Sequence, residues 1–176
     1  MKEIEVKIIE IDQGKVEAKL RELGATKALD EDEETLFFDF PDNSISKAKN
    51  LLRLRRIGDK TVLTFKKYVE SDSAKVRVEY EALVSEFETV KSILQSIGLI
   101  PTLRMKKHRT SYRLKSGVAV DIDKYSGQYS HIPTLLEIEG ADIASIHAHA
   151  KLLGFEPEQC NSWTTFDLID YYSRRK

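Results

Sequence analysis

Charged and apolar residues alternate in six short stretches spread along the chain. In the first stretch, charges at Glu3, Glu5 and Lys7 alternate with apolar residues at the positions that follow each of them. Successive side chains of a strand point to opposite faces, so this alternation predicts a β-strand with one charged and one apolar face. The same pattern returns in residues 52–55, 77–81, 107–109, 120–123 and 136–139.

Many of the charges on these predicted faces have the same sign. Glu3 and Glu5 are two residues apart, as are Arg53 and Arg55, and like charges this close repel each other. A solvated surface, the alternative interpretation, does not require this arrangement in strand after strand. If the strands share a sheet, its polar face carries the carboxylates Glu3, Glu5, Glu79, Glu81, Asp121, Asp123, Glu137 and Glu139 and the cations Lys7, Arg53, Arg55, Lys66, Arg77, Lys107 and Arg109. Such a face suits ligands of both signs.

Periodicity and turn residues together predict eight strands and four helices. The predicted strands are 2–11, 36–40, 51–57, 61–67, 79–84, 103–114, 118–124 and 134–140. A helix over 12–23 should begin at the N-cap Asp12, and another should follow a capping box at 85–88 and end before Gly98. Two more helices are predicted at 143–153 and 163–172, and the acidic run 30–34 is predicted to be a solvated loop or an exposed strand end.

The order of these elements predicts an α+β fold. Each half of the chain begins with a strand and a helix and continues with three strands, so the chain consists of two βαβββ halves. Short connections favour an antiparallel sheet, and closure into a barrel would remove its exposed edges. We therefore expect a closed eight-stranded antiparallel β-barrel, a tunnel with a charged interior, with flanking helices over an outer apolar core. The whole chain, 1–176, should form one domain.

Composition excludes several classes of protein. The net charge is −1 with 32% charged residues, which argues against a general basic nucleic-acid binder and against a partner such as double-stranded nucleic acid. Cys160 is the only cysteine, so an intrachain disulfide and a cysteine-rich zinc site are excluded. The charged start and the lack of about 18 consecutive apolar residues predict a cytoplasmic protein without a membrane partner. The sequence leaves open whether the protein forms a homodimer.

An ordered set of motifs resembles a known family. The motifs are Glu-x-Glu-x-Lys at 3–7, Leu-Arg-Leu-Arg at 52–55, Thr-Phe-Lys at 64–66, Arg-x-Glu-x-Glu at 77–81, Lys-x-Arg at 107–109 and Glu-Ile-Glu at 137–139. In this order they resemble the CYTH superfamily, the triphosphate tunnel metalloenzymes. The resemblance implies an eight-stranded tunnel, divalent metal ions and a substrate that carries a triphosphate. Activities in that family include inorganic, thiamine and RNA triphosphatase and class IV adenylyl cyclase.

The chemistry of the charged residues and the resemblance together suggest their roles. Arginine forks suit phosphate oxygens and lysine supplies a point charge, so the expected phosphate ligands are Lys7, Arg53, Arg55, Lys66, Lys107 and Arg109. Mg²⁺ or Mn²⁺ prefers oxygen ligands, which are expected first from Glu3, Glu5, Glu137 and Glu139 and second from Asp121, Asp123, Glu79 and Glu81. The expected catalytic residues are Glu5, Lys7 and Glu137. Arg77 either binds phosphate or holds Glu79 and Glu81 in place.

Three functions are compatible with such a site. The first is a metal-dependent triphosphatase that acts on inorganic triphosphate or on a small organic triphosphate. The second is a class IV adenylyl cyclase that converts ATP to cyclic AMP and pyrophosphate, although residues 126–131 differ from the Leu-Gly loop of typical bacterial cyclase-like members. The third is a non-catalytic module that binds polyphosphate or a nucleotide. In each case the partner is a small molecule that contains a triphosphate.

Overall fold

The computed structural model describes residues 4–69 and 76–175, with the backbone alone at positions 76 and 77. The eight strands are β1 Ile4–Ile8, β2 Thr26–Asp39, β3 Leu51–Ile57, β4 Lys60–Val69, β5 Val76–Val84, β6 Ile100–Arg113, β7 Ala119–Ser126 and β8 Leu135–Gly140. The five helices are α1 Gln13–Glu22, α2 Ser44–Lys47, α3 Phe87–Ser96, α4 Ile143–Leu152 and α5 Thr165–Ser173. The predicted order of strands and main helices is confirmed, and α2 is an additional short helix.

The strands form a sheet with the order β1-β8-β7-β6-β2-β3-β4-β5. Antiparallel ladders join β1 to β8, β7 to β8, and β2 through β5 in sequence. The predicted hairpin between β3 and β4 is confirmed, because Ile57 pairs with Lys60 across Gly58, whose φ is +51°. The described residues show no ladder between β1 and β5, so closure into a barrel stays a prediction.

The acidic run at 30–34 corrects one prediction. It lies inside β2, a strand of 14 residues, and both Glu33 and Glu34 are buried. The loop or exposed strand end that the sequence suggested is therefore wrong for these two residues. Buried carboxylates are tolerated when they are paired, and Glu34 accepts hydrogen bonds from Arg56 Nη2 at 2.6 Å and Arg104 Nε at 2.7 Å. Thr35 Oγ1 donates to Glu33 Oε1 at 2.9 Å.

The chain separates into two compact units. Among the described residues, the first unit comprises 32–69 and 76–106, and the second comprises 4–31 and 107–175. The strands β2 and β6 contribute residues to both units. The expectation of one domain over 1–176 stays a prediction.

The second unit has its core on the apolar side of β1, β7 and β8. Val6 and Ile8 of β1 pack with alternate residues of β7 and β8 and with Val16 and Leu20 of α1. Helix α4 adds Ile146 to the same cluster. The start of α1 is as predicted, since the Asp12 side chain accepts a hydrogen bond from the backbone N–H of Lys15 at 3.1 Å. Burial of these positions leaves the intervening charged residues on the opposite face.

The first unit has a separate core under α3. Leu36 and Phe38 of β2 and Leu54 of β3 pack against Phe87 and Leu94 of the helix. The helix is confirmed, but its predicted capping box is wrong. The N-cap is Glu86, one residue later than the predicted Ser85, and no side-chain cap hydrogen bond is made there. The apolar face of α3 therefore fixes the helix in place without help from that motif.

The helices offer no candidate for a membrane span. Within the described part of the chain, none of them is both long enough and apolar enough to cross a bilayer.

Candidate functional site

Seven charged side chains of the second unit form a connected network of ion pairs, here called the second-unit cluster. Its members are Glu5, Lys7, Lys107, Arg109, Asp121, Asp123 and Glu137. The ladders bring them together, because Lys7 pairs with Glu137 between β1 and β8, and Glu137 pairs with Asp121 between β8 and β7. Residues opposite each other on antiparallel strands share a face, so the alternation read from the sequence produces this network.

Lys7 is a fully buried cation of this cluster. Its side chain is 2% exposed, and its Nζ lies 2.8 Å from Glu137 Oε1 and 3.1 Å from Glu5 Oε1. Burial alone would lower the pKa of Lys7, but the charges of Glu137 and Glu5 outweigh it and raise the pKa above its ordinary value. The ammonium therefore stays protonated at neutral pH.

Arg109 is the centre of the network. Its guanidinium binds Asp123 in a bidentate manner, with Nε to Oδ1 at 2.7 Å and Nη2 to Oδ2 at 2.6 Å. It also contacts Glu137 Oε2 at 2.5 Å and Asp121 Oδ2 at 2.8 Å. Burial would lower the pKa of Arg109, but the carboxylates of Asp123 and Glu137 hold it well above the ordinary value. Its position and its charge are thus fixed by carboxylates of two strands, β7 and β8.

Glu137 lies between two buried cations. Burial would raise the pKa of its carboxyl group, but Arg109 and Lys7 lower it well below the ordinary value. The group is therefore ionised at neutral pH although its strand is buried. An ionised carboxylate at this position can accept hydrogen bonds and can hold both cations in place.

The first unit contains a second group of charges, the first-unit cluster. Its members are Glu33 of β2, Arg53 and Arg55 of β3, Lys66 of β4, and Glu79 and Glu81 of β5. Lys66 forms an ion pair with Glu79, which is opposite to it in the β4–β5 ladder. Glu81 accepts a hydrogen bond from Thr64 Oγ1 at 2.8 Å.

The two arginines of the first-unit cluster are partly buried and poorly paired. Arg53 Nη2 is 3.9 Å from Glu81 Oε1 and Arg55 Nη1 is 4.0 Å from Glu33 Oε2, and both distances exceed a hydrogen bond. The buried Nε atoms of Arg53 and Arg55 have no hydrogen-bond partner among the described residues. Burial and the neighbouring charge of Arg55 lower the pKa of Arg53. An anion placed here would relieve both the repulsion and the missing hydrogen bonds.

The CYTH domain family matches residues 1–152 of the chain. The chain belongs to this family. A Methanocaldococcus jannaschii protein, named provisionally as an adenylate cyclase, is 26% identical to this CYTH chain over 153 residues, which cover 87% of this chain and 84% of the relative.

Solved structures share the fold of this CYTH chain. A conserved hypothetical protein from Pyrococcus furiosus has a TM-score of 0.76 at 23% identity, over 95% of this chain and 99% of its own. A Hippeastrum protein, described as an adenylyl cyclase candidate that reveals a dominant triphosphatase activity, has a TM-score of 0.68 at 15% identity, over 97% of this chain and 96% of its own. At these identities the likeness concerns the fold.

The carboxylates of the CYTH chain differ in how they suit a metal ion. Asp121 and Asp123, predicted as second-choice ligands, are ion-pair partners of Arg109, and Asp123 also accepts from Lys107 Nζ at 2.7 Å. Within residues 4–69 and 76–175, no group of three or more histidine, cysteine or acidic residues is arranged to hold a metal. Glu3, a first-choice ligand, lies outside the described residues.

Two carboxylates nevertheless fit a hard cation. Glu5 and Glu139 are directly opposite each other in the β1–β8 ladder, a position where like charges destabilise a sheet. Mg²⁺ keeps several water ligands and needs only one or two carboxylates from the protein. The donor set therefore fits Mg²⁺ or Mn²⁺.

Glu79, Glu81 and Arg77 lie on β5 in the first unit. Glu79 and Glu81 are paired with Lys66 and Thr64, respectively. Arg77 is opposite Tyr68 in the β4–β5 ladder, and its side chain lies outside the described part of the chain. The choice between its two predicted roles therefore stays open.

Sequence reasoning missed one residue beside the second-unit cluster, Tyr125. It is 3% exposed, and its hydroxyl oxygen is buried. The signal was present in the sequence, because Tyr125 continues the alternation of Asp121 and Asp123 along β7. A pattern of charged side chains does not extend to an uncharged phenol.

Proposed function

We propose that this CYTH protein is a divalent-metal-dependent phosphohydrolase whose substrate is inorganic triphosphate or a small organic triphosphate. The observation that carries the proposal is the pair Arg53 and Arg55, whose buried Nε atoms have no hydrogen-bond partner among the described residues. Two partly buried guanidinium groups on one face of a strand suit an anion of more than one charge, such as a polyphosphate. The triphosphatase activity described for the Hippeastrum protein of the same fold supports the choice of reaction.

Each cluster contains cations that we assign to phosphate binding. Arg53, Arg55 and Lys66 of the first unit would donate to phosphate oxygens, and the long contacts of the two arginines leave their donors available. In the second unit, Lys7 would contribute a buried positive charge, which lowers the energy of negative charge that develops on a phosphoryl oxygen. Lys107 and Arg109 are the remaining cations that we assign to the phosphate site.

The carboxylates have two separate tasks in this proposal. Glu5 and Glu139, together with Glu3 from the sequence, would hold Mg²⁺ or Mn²⁺, which when bound neutralises charge on the phosphoryl oxygens. Glu137 would hold Lys7 and Arg109 in position and, as an ionised carboxylate, would accept a hydrogen bond from the attacking water. Glu5, Lys7 and Glu137 are thus the residues whose loss should affect the chemical step.

A second candidate function is adenylyl cyclase. It is favoured by the relative from Methanocaldococcus jannaschii, whose name proposes that activity. The same phosphate ligands would hold the triphosphate of ATP, and the 3′-hydroxyl of the nucleotide would attack its own α-phosphate. Pyrophosphate would leave as cyclic AMP forms.

Product analysis tests these functions. The purified protein is incubated with tripolyphosphate and with ATP, each with Mg²⁺ and with Mn²⁺, and the products are identified by ion chromatography. We expect orthophosphate from tripolyphosphate, and little cyclic AMP from ATP. Cyclic AMP with an equal amount of pyrophosphate would support the second candidate. Tight binding of both ligands without any product would contradict both and indicate a binding module.

Paired variants attribute the turnover to this site. Glu137→Gln should abolish orthophosphate release while the protein still binds tripolyphosphate, because the cations remain. Glu22→Gln is a suitable control, since Glu22 is exposed on α1 and pairs with Lys19 on the surface. Equal turnover in the two variants would show that the activity resides elsewhere or in a contaminant.

A further inference from the structure

Tyr125 carries a buried polar group that the fold does not satisfy. Its side chain is almost fully enclosed, and its hydroxyl has no hydrogen-bond partner within residues 4–69 and 76–175. A buried hydroxyl without a partner is unfavourable, and most such groups in folded proteins are hydrogen-bonded. The position would be more stable with a phenylalanine if the hydroxyl had no further use.

The location of Tyr125 indicates what that use is. The apolar positions Val120 and Ile122 of β7 face the core with α1 and α4, whereas Asp121, Asp123 and Tyr125 alternate with them on the charged face. The ring of Tyr125 lies 6.0 Å from Lys107 Nζ. The tyrosine therefore adjoins the second-unit cluster and is not part of the apolar cluster that contains α1 and α4.

The hydroxyl is also a suitable hydrogen-bonding group for an anion. A phenol is protonated at neutral pH, so the Tyr125 hydroxyl can act as a hydrogen-bond donor. An anionic ligand requires hydrogen-bond donors. The charges of Lys7 and Arg109 are also close enough to interact with the Tyr125 side chain.

We propose that the Tyr125 hydroxyl donates a hydrogen bond to a phosphoryl oxygen of the bound polyphosphate and is thereby a binding residue of the site. This inference rests on the proposed function to the extent that it requires a polyphosphate ligand. It adds a neutral donor to a set of ligands that is otherwise cationic. The ligand would supply the partner that the fold leaves out.

The test measures binding and stability, so it does not depend on turnover. Tyr125→Phe removes the hydroxyl and preserves the ring, and tripolyphosphate binding is measured by isothermal titration calorimetry with Mg²⁺ present. We expect the affinity to fall by about 10- to 100-fold, the range for a hydrogen bond to a charged group. The melting temperature of the ligand-free variant should be equal to or higher than that of the wild type.

Tyr172→Phe is the matched control. The Tyr172 hydroxyl of α5 is satisfied within the fold, since it donates to Glu10 Oε1 at 2.9 Å. Removal of that hydroxyl should lower the melting temperature slightly and leave the affinity for tripolyphosphate unchanged. The two tyrosine variants should therefore change stability and affinity in different ways.

Several results would overturn the inference. Unchanged affinity in Tyr125→Phe would show that the hydroxyl does not contact the ligand. A loss of affinity together with a lower melting temperature would assign the hydroxyl a structural role. If the wild type binds tripolyphosphate but does not hydrolyse it, the proposed reaction fails while the role of Tyr125 is still decided by affinity. If the wild type does not bind it at all, both proposals fail.

Discussion

Lys7 and Glu137 are opposite each other in the β1–β8 ladder, and Lys7 Nζ lies 2.8 Å from Glu137 Oε1. Glu137 also accepts from Arg109 Nη2 through its other oxygen, so one carboxylate joins cations from two further strands. Buried charges of this kind are tolerated only because each has a partner. The stability of the second unit and its candidate chemistry therefore depend on the same carboxylate.

Glu137→Gln should destabilise the ligand-free protein by roughly 3 kcal/mol, because it leaves the buried Lys7 and Arg109 without one of their counter-charges. Denaturant unfolding followed by circular dichroism measures this free energy. The surface variant Glu22→Gln should change it little. A Glu137→Gln protein as stable as the wild type would show that the ion pairs contribute nothing net to folding.

The stability should depend on pH through the same group. The pKa of Glu137 is held well below its ordinary value in the folded protein. The contribution of its carboxylate to stability is therefore complete above the pKa of the unfolded state, about 4.3, and is lost as the pH falls through the lower pKa of the folded state. Urea unfolding between pH 3 and 6 measures how the free energy of unfolding rises with pH. This rise should be smaller in Glu137→Gln than in the wild type, by up to about 1.4 kcal/mol per pH unit. Identical slopes would contradict the lowered pKa.

Arg53→Gln should weaken tripolyphosphate binding by at least about 10-fold, because an arginine contact to phosphate is a charge-assisted hydrogen bond. Its ligand-free stability should not fall, since burial and the charge of Arg55 lower the pKa of Arg53 and make its charged form unfavourable in the fold. Calorimetric titration and thermal unfolding provide the two measurements.

Arg56→Gln is the control on the same strand. Arg56 lies on the opposite face of β3, where its guanidinium pairs with the buried Glu34 at 2.6 Å and stacks over the Phe87 ring. This variant should lose stability and keep its affinity for tripolyphosphate. If Arg56→Gln weakens binding as strongly as Arg53→Gln does, tripolyphosphate binding depends on the net positive charge of the protein and not on the face of β3 that carries Arg53.

The strands with one charged face were predictable from the sequence because alternation is a local property. Residues 51–57 were predicted as a strand and form β3, and the charges at Arg53 and Arg55 mark its polar face. The length of β2 was not predictable, because its acidic residues are stabilised by partners far away in the chain. Glu34 is paired with Arg104, which is 70 residues later. No pattern in the sequence around Glu34 predicts such a pair.

The members of the candidate site could be predicted, whereas their pairing could not. The pairs of like charges two residues apart identified Asp123 and Arg109, but their bidentate contact requires the alignment of β6 with β7. Whether a buried polar atom is satisfied is also invisible in a sequence. The unpartnered Nε atoms of Arg53 and Arg55 and the hydroxyl of Tyr125 became apparent only from the packed side chains.

The final prediction concerns the metal ion, and it uses the carboxylates Glu5 and Glu139, which are opposite each other between β1 and β8. Glu5→Gln should weaken Mn²⁺ binding in the absence of substrate, because it removes the charge of one of the three proposed carboxylate ligands. Without metal the variant should lose less stability than Glu137→Gln does, since Glu5 is half exposed and the amide can still accept from Lys7 Nζ, which is 3.1 Å from Glu5 Oε1.

Titration of Mn²⁺ followed by electron paramagnetic resonance measures this affinity directly, and tripolyphosphate turnover against Mg²⁺ concentration gives a second measurement. We expect at least a 10-fold weaker affinity and a rightward shift of the Mg²⁺ dependence. Glu10→Gln controls for a nearby carboxylate, because Glu10 is bound to Tyr172 and should not affect the metal. If Glu5→Gln binds Mn²⁺ as tightly as the wild type does, the opposed pair is not the metal site, and the ion would have to be held by other carboxylates.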